Sequence, residues 1–158
     1  FALISQIPYA LFHSIISDNF SLNIFFTLFI GLCCIYIYDK VSNRFLSLCL
    51  CIILALFANI IHTDYGFFGV SIILLFFIFK GNPVLRNIAF IIATIVKYSI
   101  NILKYGNTLV YLLLAVCTIS SIVVIDAYSG TQGRKIRYLL YVFYPLHLFV
   151  IYFLWKLL

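Results

Sequence analysis

Asn107-Thr108-Leu109-Val110-Tyr111-Leu112-Leu113-Leu114-Ala115-Val116-Cys117-Thr118-Ile119-Ser120-Ser121-Ile122-Val123-Val124-Ile125 runs without a single charged side chain. As a helix it rises about 28 Å, close to the roughly 30 Å hydrocarbon core of a bilayer. Strands of a membrane barrel would alternate in polarity over about 10 residues. This run does not alternate, so it reads as a membrane-spanning helix.

Working outward, polar punctuation separates six further apolar runs: 1–16, 20–38, 45–62, 66–79, 85–103 and 138–158. Between the seven runs lie Ser17-Asp18-Asn19, Asp39 to Arg44, Thr63-Asp64-Tyr65, Lys80 to Val84, Lys104-Tyr105-Gly106 and the longer stretch from Asp126 to Arg137. Composition agrees. Hydrophobic residues make up 66% of the 158 and charged residues 9%, with mean hydropathy +1.21. Soluble domains run about 45–50% apolar and about 25% charged, and a soluble core of this size has too little interior to hide so much apolar surface. The expected fold is an all-α polytopic transmembrane helix bundle of about seven helices, one domain over residues 1–158. The chain has no Met and opens on Phe1 in apolar sequence, without a signal-peptide layout. It therefore reads as an N-terminally incomplete piece, with upstream helices expected before it.

Charge predicts orientation. If the runs alternate across the membrane, Lys40, Arg44, Lys80, Arg86, Arg134, Lys135 and Arg137 share one side, which is seven of the ten basic residues. The positive-inside rule places those loops in the cytoplasm and the loops at 17–19, 62–66 and 97–106 outside. Topology then accounts for the net charge of +6. The partner it implies is the lipid bilayer with its anionic cytoplasmic face, and nucleic acid need not be invoked.

Polar groups inside a bilayer are costly and mark candidate sites. In His62-Thr63-Asp64-Tyr65-Gly66, an imidazole and a carboxylate two residues apart suit a base and its orienting partner. The same residues also suit a plain turn, with Thr and Asp capping the next helix and Gly66 and Gly69 allowing close helix approach. His147, in Tyr144-Pro145-Leu146-His147, lies mid-run. It is either a site residue or the partner of a carbonyl freed by Pro145. His13, near Asp18, reads as an interfacial polar residue. Asn23 and Thr27, four apart, share a helix face and either line a polar cavity or bridge helices. Asn59, one turn before His62, Ser5 and Gln6 stay open in the same way.

The stretch Tyr128-Ser129-Gly130-Thr131-Gln132-Gly133-Arg134-Lys135 offers flexible backbone and cations to a phosphorylated ligand, or is simply a basic cytoplasmic loop. It lacks the Gly-Lys-Ser/Thr ending of a P-loop. Cys33, Cys34, Cys49, Cys51 and Cys117 all fall in apolar runs and behave as small hydrophobes, so neither a metal nor a disulfide is expected.

Taken in order, Phe1-Ala2-Leu3-Ile4-Ser5-Gln6-Ile7-Pro8, Leu22-Asn23-Ile24-Phe25-Phe26-Thr27-Leu28, Thr63-Asp64-Tyr65-Gly66 with Gly69-Val70, and Phe143-Tyr144-Pro145-Leu146-His147-Leu148 resemble the TraX family. Its named member acetylates conjugative F-type pilin. The similar motifs extend from residue 1 to about residue 152. The inner loop departs from the family pattern, which carries an Asn-Gly-Lys-Arg-Gly-like stretch where this chain has Ser129 to Lys135.

The resemblance implies a multi-pass acyltransferase of the bacterial inner membrane. It would move an acetyl group from cytoplasmic acetyl-CoA to an amine or hydroxyl of an envelope substrate, a pilin-like peptide or a glycan among them. It also implies upstream helices bearing an Asp-His pair. On this reading His62, Asp64 and His147 handle protons, Asn23, Thr27 and Tyr65 face the acceptor, and Arg134, Lys135 and Arg137 attract the CoA phosphates. The alternative is a small transporter subunit in which Asn23, Thr27, Asp64 and His147 line a path, although strong inverted-repeat pairing is absent.

Overall fold

The computed structural model describes residues 1–17, 19–129, 131 and 137–157, with only the backbone described at Ile16, Arg137 and Leu140. The described residues form seven helices: α1 (Ala2–Ile16), α2 (Ile24–Lys40), α3 (Arg44–Ile60), α4 (Gly66–Ile78), α5 (Pro83–Tyr105), α6 (Thr108–Asp126) and α7 (Arg137–Leu157). The chain is all-α. The one extended pairing among the described residues is an isolated parallel bridge between Leu22 and Thr63.

Asparagines start three of the helices for a common reason. The first N–H groups of a helix have no intrahelical acceptor, and a side-chain oxygen placed just before them supplies one. Asn23 accepts from Phe25, Asn43 from Leu46 and Asn82 from Leu85. Pro83 adds a preset φ at the first position of α5. At the other end, the Arg44 guanidinium bonds the Tyr38 carbonyl in the last turn of α2 and lies 4.7 Å over the Tyr38 ring.

Among the described residues two helices, α5 and α6, are long and apolar enough to cross a membrane. The seven-span expectation is met only in part. At 17 residues each, α2 and α3 rise about 25 Å, short of the roughly 30 Å core. α4 is shorter still, with 13 residues.

The chain divides into two compact units. One holds α1, α2, α3, the start of α4 and α7; the other holds the rest of α4 with α5 and α6. In the first unit α1 packs along α7 and α2 along α3. Most residues these two helices bury are small: Thr27, Gly31 and Cys34 beside Ile30 on α2, and Ser47, Cys51, Ala55 and Ala58 on α3. Small residues let helix backbones come close. Here they come close enough for each thiol to donate to the other residue's carbonyl, Cys34 Sγ to Cys51 O at 3.8 Å and Cys51 Sγ to Cys34 O at 3.4 Å.

In the second unit α5 and α6 form a hairpin closed by Gly106 at φ 72°, a left-handed position that costs glycine nothing. At this end Tyr98, Tyr105 and Tyr111 lie ring to ring, with Lys97 and Lys104 over Tyr98 and Tyr105. At the other end Arg86 pairs with Asp126, and Asn87 donates to the same carboxylate at 2.7 Å. Between these polar ends α6 buries none of its residues. A helix apolar all round and unburied by its own chain suits lipid, not water.

Candidate functional site: a polar junction in the first unit

The junction starts from the segment 21–23. It is extended, so its backbone groups need partners from elsewhere. On one side the Gln6 side-chain amide does the work of a neighbouring strand, with Nε2 donating to the Ser21 carbonyl at 2.9 Å and Oε1 accepting from the Asn23 N–H at 3.0 Å. On the other side Leu22 N–H donates to the His62 carbonyl at 2.9 Å, and Asp64 N–H donates to the Leu22 carbonyl at 2.8 Å. The Ser21 hydroxyl fills the second lone pair of the His62 carbonyl at 2.8 Å. His62 reaches this arrangement at φ 53°, a left-handed conformation that non-glycine residues seldom adopt and that clusters at sites.

What the ladder fixes is the position of Asp64. Its carboxylate lies beside the hydroxyl of Tyr9, on α1, and its charge also reaches Tyr144, on α7. The Tyr9 hydroxyl lies 3.3 Å from Ser21 Oγ as well. The Tyr144 hydroxyl lies beside the backbone of Ile24, the first residue of α2. Three elements and two loops meet around one carboxylate.

His147 stands one turn beyond Tyr144 on α7, its ring 5.5 Å from the Tyr144 ring and stacked at 5.1 Å on Phe143. Its Nδ1 lies 3.0 Å from the Phe143 carbonyl. A carbonyl only accepts, so Nδ1 carries the proton and Nε2 is left with a lone pair. The carbonyl used is not the one Pro145 frees, since a helical N–H at position 145 would bond Tyr141.

Asn23, Thr27 and Tyr65, also expected at the site, lie on the segments that border this junction. The spacing of Asn23 and Thr27 puts both on one helix face, but Asn23 precedes the helix with φ −66° and ψ 169°. Its side chain accepts from Phe25 N at 3.0 Å and donates to the Ala2 carbonyl at 2.8 Å. The helix start wins because the Asn oxygen supplies an acceptor the backbone lacks. Thr27 is buried, and its hydroxyl has no partner among the described residues. Its methyl meets Gly69: a Cβ there would lie 2.7 Å from Thr27 Cγ2 and 2.5 Å from Tyr65 Cβ. The glycine therefore permits close approach, as the sequence allows. Tyr65 is half exposed, and the imidazole of His62 is exposed. Asn59 Oδ1 packs against Gly66. Arg134 and Lys135 lie outside the described residues, and Arg137 is described only as the first backbone position of α7.

Sequence reasoning missed Tyr9, Ser21 and Tyr144, and did not find the part played by Gln6. Tyrosines are common in this chain, with 12 in all, so neither Tyr9 nor Tyr144 stands out. Gln6 did carry a signal, as an amide inside an apolar run.

An all-α chain with two helices long and apolar enough to cross a membrane among its described residues fits the class of helical membrane proteins. The family model of the TraX protein matches residues 1–155, and the chain belongs to that family. Membership fits a pilin-modifying role at the level of the family. No curated protein and no solved structure matches the chain.

Proposed function

We propose that this chain forms the core of a multi-pass acyltransferase of the bacterial inner membrane, moving an acetyl group from acetyl-CoA to an amine or hydroxyl of an envelope substrate. The observation that supports it most is the convergence of Asp64, Tyr9 and Tyr144 beside a histidine whose Nε2 has no hydrogen-bond partner among the described residues. Acyl transfer needs a base for the acceptor and a donor for the oxyanion. His147 Nε2 takes the proton of the attacking amine or hydroxyl. The Tyr144 hydroxyl donates to the oxygen that gains charge, and the Asp64 charge holds the tyrosines in register. The thioester C–S bond breaks, and CoA leaves as the thiol. His62, exposed at the same junction, is a second group able to move a proton.

Acetyl-CoA enters as donor substrate from the cytoplasm. Arg134, Lys135 and Arg137 supply the charge that draws in its phosphates. Lys40, Arg44, Lys80 and Arg86 face the same compartment under the positive-inside rule. A transport reading draws on the buried hydroxyls of Ser5 and Thr27, unpaired among the described residues, as the lining of a polar path.

The test is label transfer from radioactive acetyl-CoA by the full-length protein in liposomes, with amino-terminal peptides and envelope glycans as acceptors. The acyltransferase reading expects labelled product. Substrate flux without CoA, and no labelled product in any fraction, would replace it with transport.

A further inference from the structure

Charge is unevenly shared in the second unit, which carries Lys80, Arg86, Lys97 and Lys104 against a single carboxylate, Asp126. That carboxylate is engaged at one end of the α5–α6 hairpin, where it pairs with Arg86 and accepts from Asn87. With 19 residues, α6 holds it about 28 Å from the other end. The Gly106 end, where Lys104 stands, therefore has no acidic residue of the unit beside it.

Donors gather at this end. Lys97 and Lys104 lie seven residues apart on α5 and so share a side of the helix, as do Tyr98 and Tyr105. Lys104 Nζ stands 5.0 Å from the centre of the Tyr105 ring, and Lys97 Nζ 5.4 Å from that of Tyr98. A ring face attracts an ammonium through its quadrupole and takes no ordinary hydrogen bond from it, so N–H groups of Lys104 remain to donate. The Tyr98 hydroxyl is engaged with Thr118 Oγ1 at 3.0 Å. The hydroxyls of Tyr105 and Tyr111, whose rings lie 6.1 Å apart, have no hydrogen-bond partner among the described residues. On the same turns Leu103 and Leu109 are 87% and 70% exposed, an apolar surface beside the cation.

From this arrangement we infer that the Gly106 end of the hairpin holds an anionic phospholipid, its phosphate on the Lys104 ammonium and the Tyr105 and Tyr111 hydroxyls, its acyl chains along Leu103 and Leu109. Phosphodiester oxygens only accept, which matches a cluster made of donors. A choline or ethanolamine head group would bring an ammonium, and the unit offers it no carboxylate here, so a head group of net negative charge is preferred. The exposed leucines select a lipid over a free phosphate, because only the lipid covers them. Aromatic side chains sit well at the height of the head groups, and each basic residue near them adds attraction for anionic lipid. This end lies across the hairpin from Arg86, so the site is separate from the basic loops read as cytoplasmic. It does not depend on acyl transfer.

The test places the full-length protein in phosphatidylcholine nanodiscs doped with a trace of photoreactive phosphatidylglycerol or, in parallel, photoreactive phosphatidylcholine. After illumination the label is mapped by peptide mass spectrometry. We expect the phosphatidylglycerol probe to label the stretch 99–113 about fivefold or more above the phosphatidylcholine probe. Lys104→Gln, checked for unchanged helix content, cuts that labelling about fivefold, the effect of one basic residue at a charged membrane surface. Tyr105→Phe, which removes only a hydroxyl, cuts it about threefold or more. Labelling at the basic loops stays the same in both variants and serves as the internal control. Excess glycerol phosphate, the head group without chains, leaves the wild-type labelling in place. Equal labelling of 99–113 by the two probes, labelling that neither variant lowers, or displacement by glycerol phosphate overturns the inference.

Discussion

Asn23 spends both ends of its amide on the fold, one on Phe25 and one on Ala2. Asn23→Ala is therefore expected to cost about 1–2 kcal/mol, a cap plus a buried hydrogen bond, and thermal unfolding in nanodiscs measures it. Gly69→Ala forces a Cβ against Thr27 and Tyr65, so it should cost about 1–3 kcal/mol by overpacking. Gly69→Ala with Thr27→Ser should recover part of that loss, because the Thr methyl is one of the two clashing groups. At this scale the sequence tells which residues are unusual but not what they meet. Gln6, Asn23 and Asp64 are polar residues in or beside apolar runs and are conspicuous for that reason. Their partners lie 15 to 21 residues away for Gln6 and Asn23, and Ser21 reaches His62 across 41. No local pattern encodes such distances.

Helix limits are the most legible feature, because caps and punctuation are local. The apolar run 107–125 becomes α6 at Thr108–Asp126, and 66–79 becomes α4 at Gly66–Ile78. The run 20–38 loses its first residues, since Ser21, Leu22 and Asn23 leave the helix to pair with Gln6 and with residues 62–64. Apolar character alone does not separate a helix turn from a buried extended segment. Gly106 tests the element scale in isolation. Its φ is 72° and nothing lies within 4 Å of an added Cβ, so Gly106→Ala measures backbone strain without a clash. The expected cost is about 1 kcal/mol. The same substitution at Gly81, which also has open space but no left-handed backbone, should be neutral or slightly stabilising. Parallel unfolding curves of the two variants check this.

At the scale of the whole molecule, composition speaks first. Mean hydropathy of +1.21, with α6 unburied along its length, predicts that the protein stays with membranes through an alkaline carbonate wash and leaves only with detergent. Fractionation and blotting decide that. The site was legible only in outline. Asp64 and His147 were visible as candidate residues, but the tyrosines that bring α1 and α7 to Asp64 needed the fold. The central claim is that the Asp64 carboxylate organises a transfer site, and Asp64→Asn tests it most directly. That change keeps the backbone N–H that Leu22 accepts and nearly the same shape, while it removes the charge and turns one accepting oxygen into a donating NH2 group. In single-turnover acetyl transfer with the full-length protein, the account predicts a loss of about 10²-fold or more, the scale of a missing electrostatic group in a site, with unfolding temperature nearly unchanged. Transfer by Asp64→Asn at the wild-type rate would contradict it.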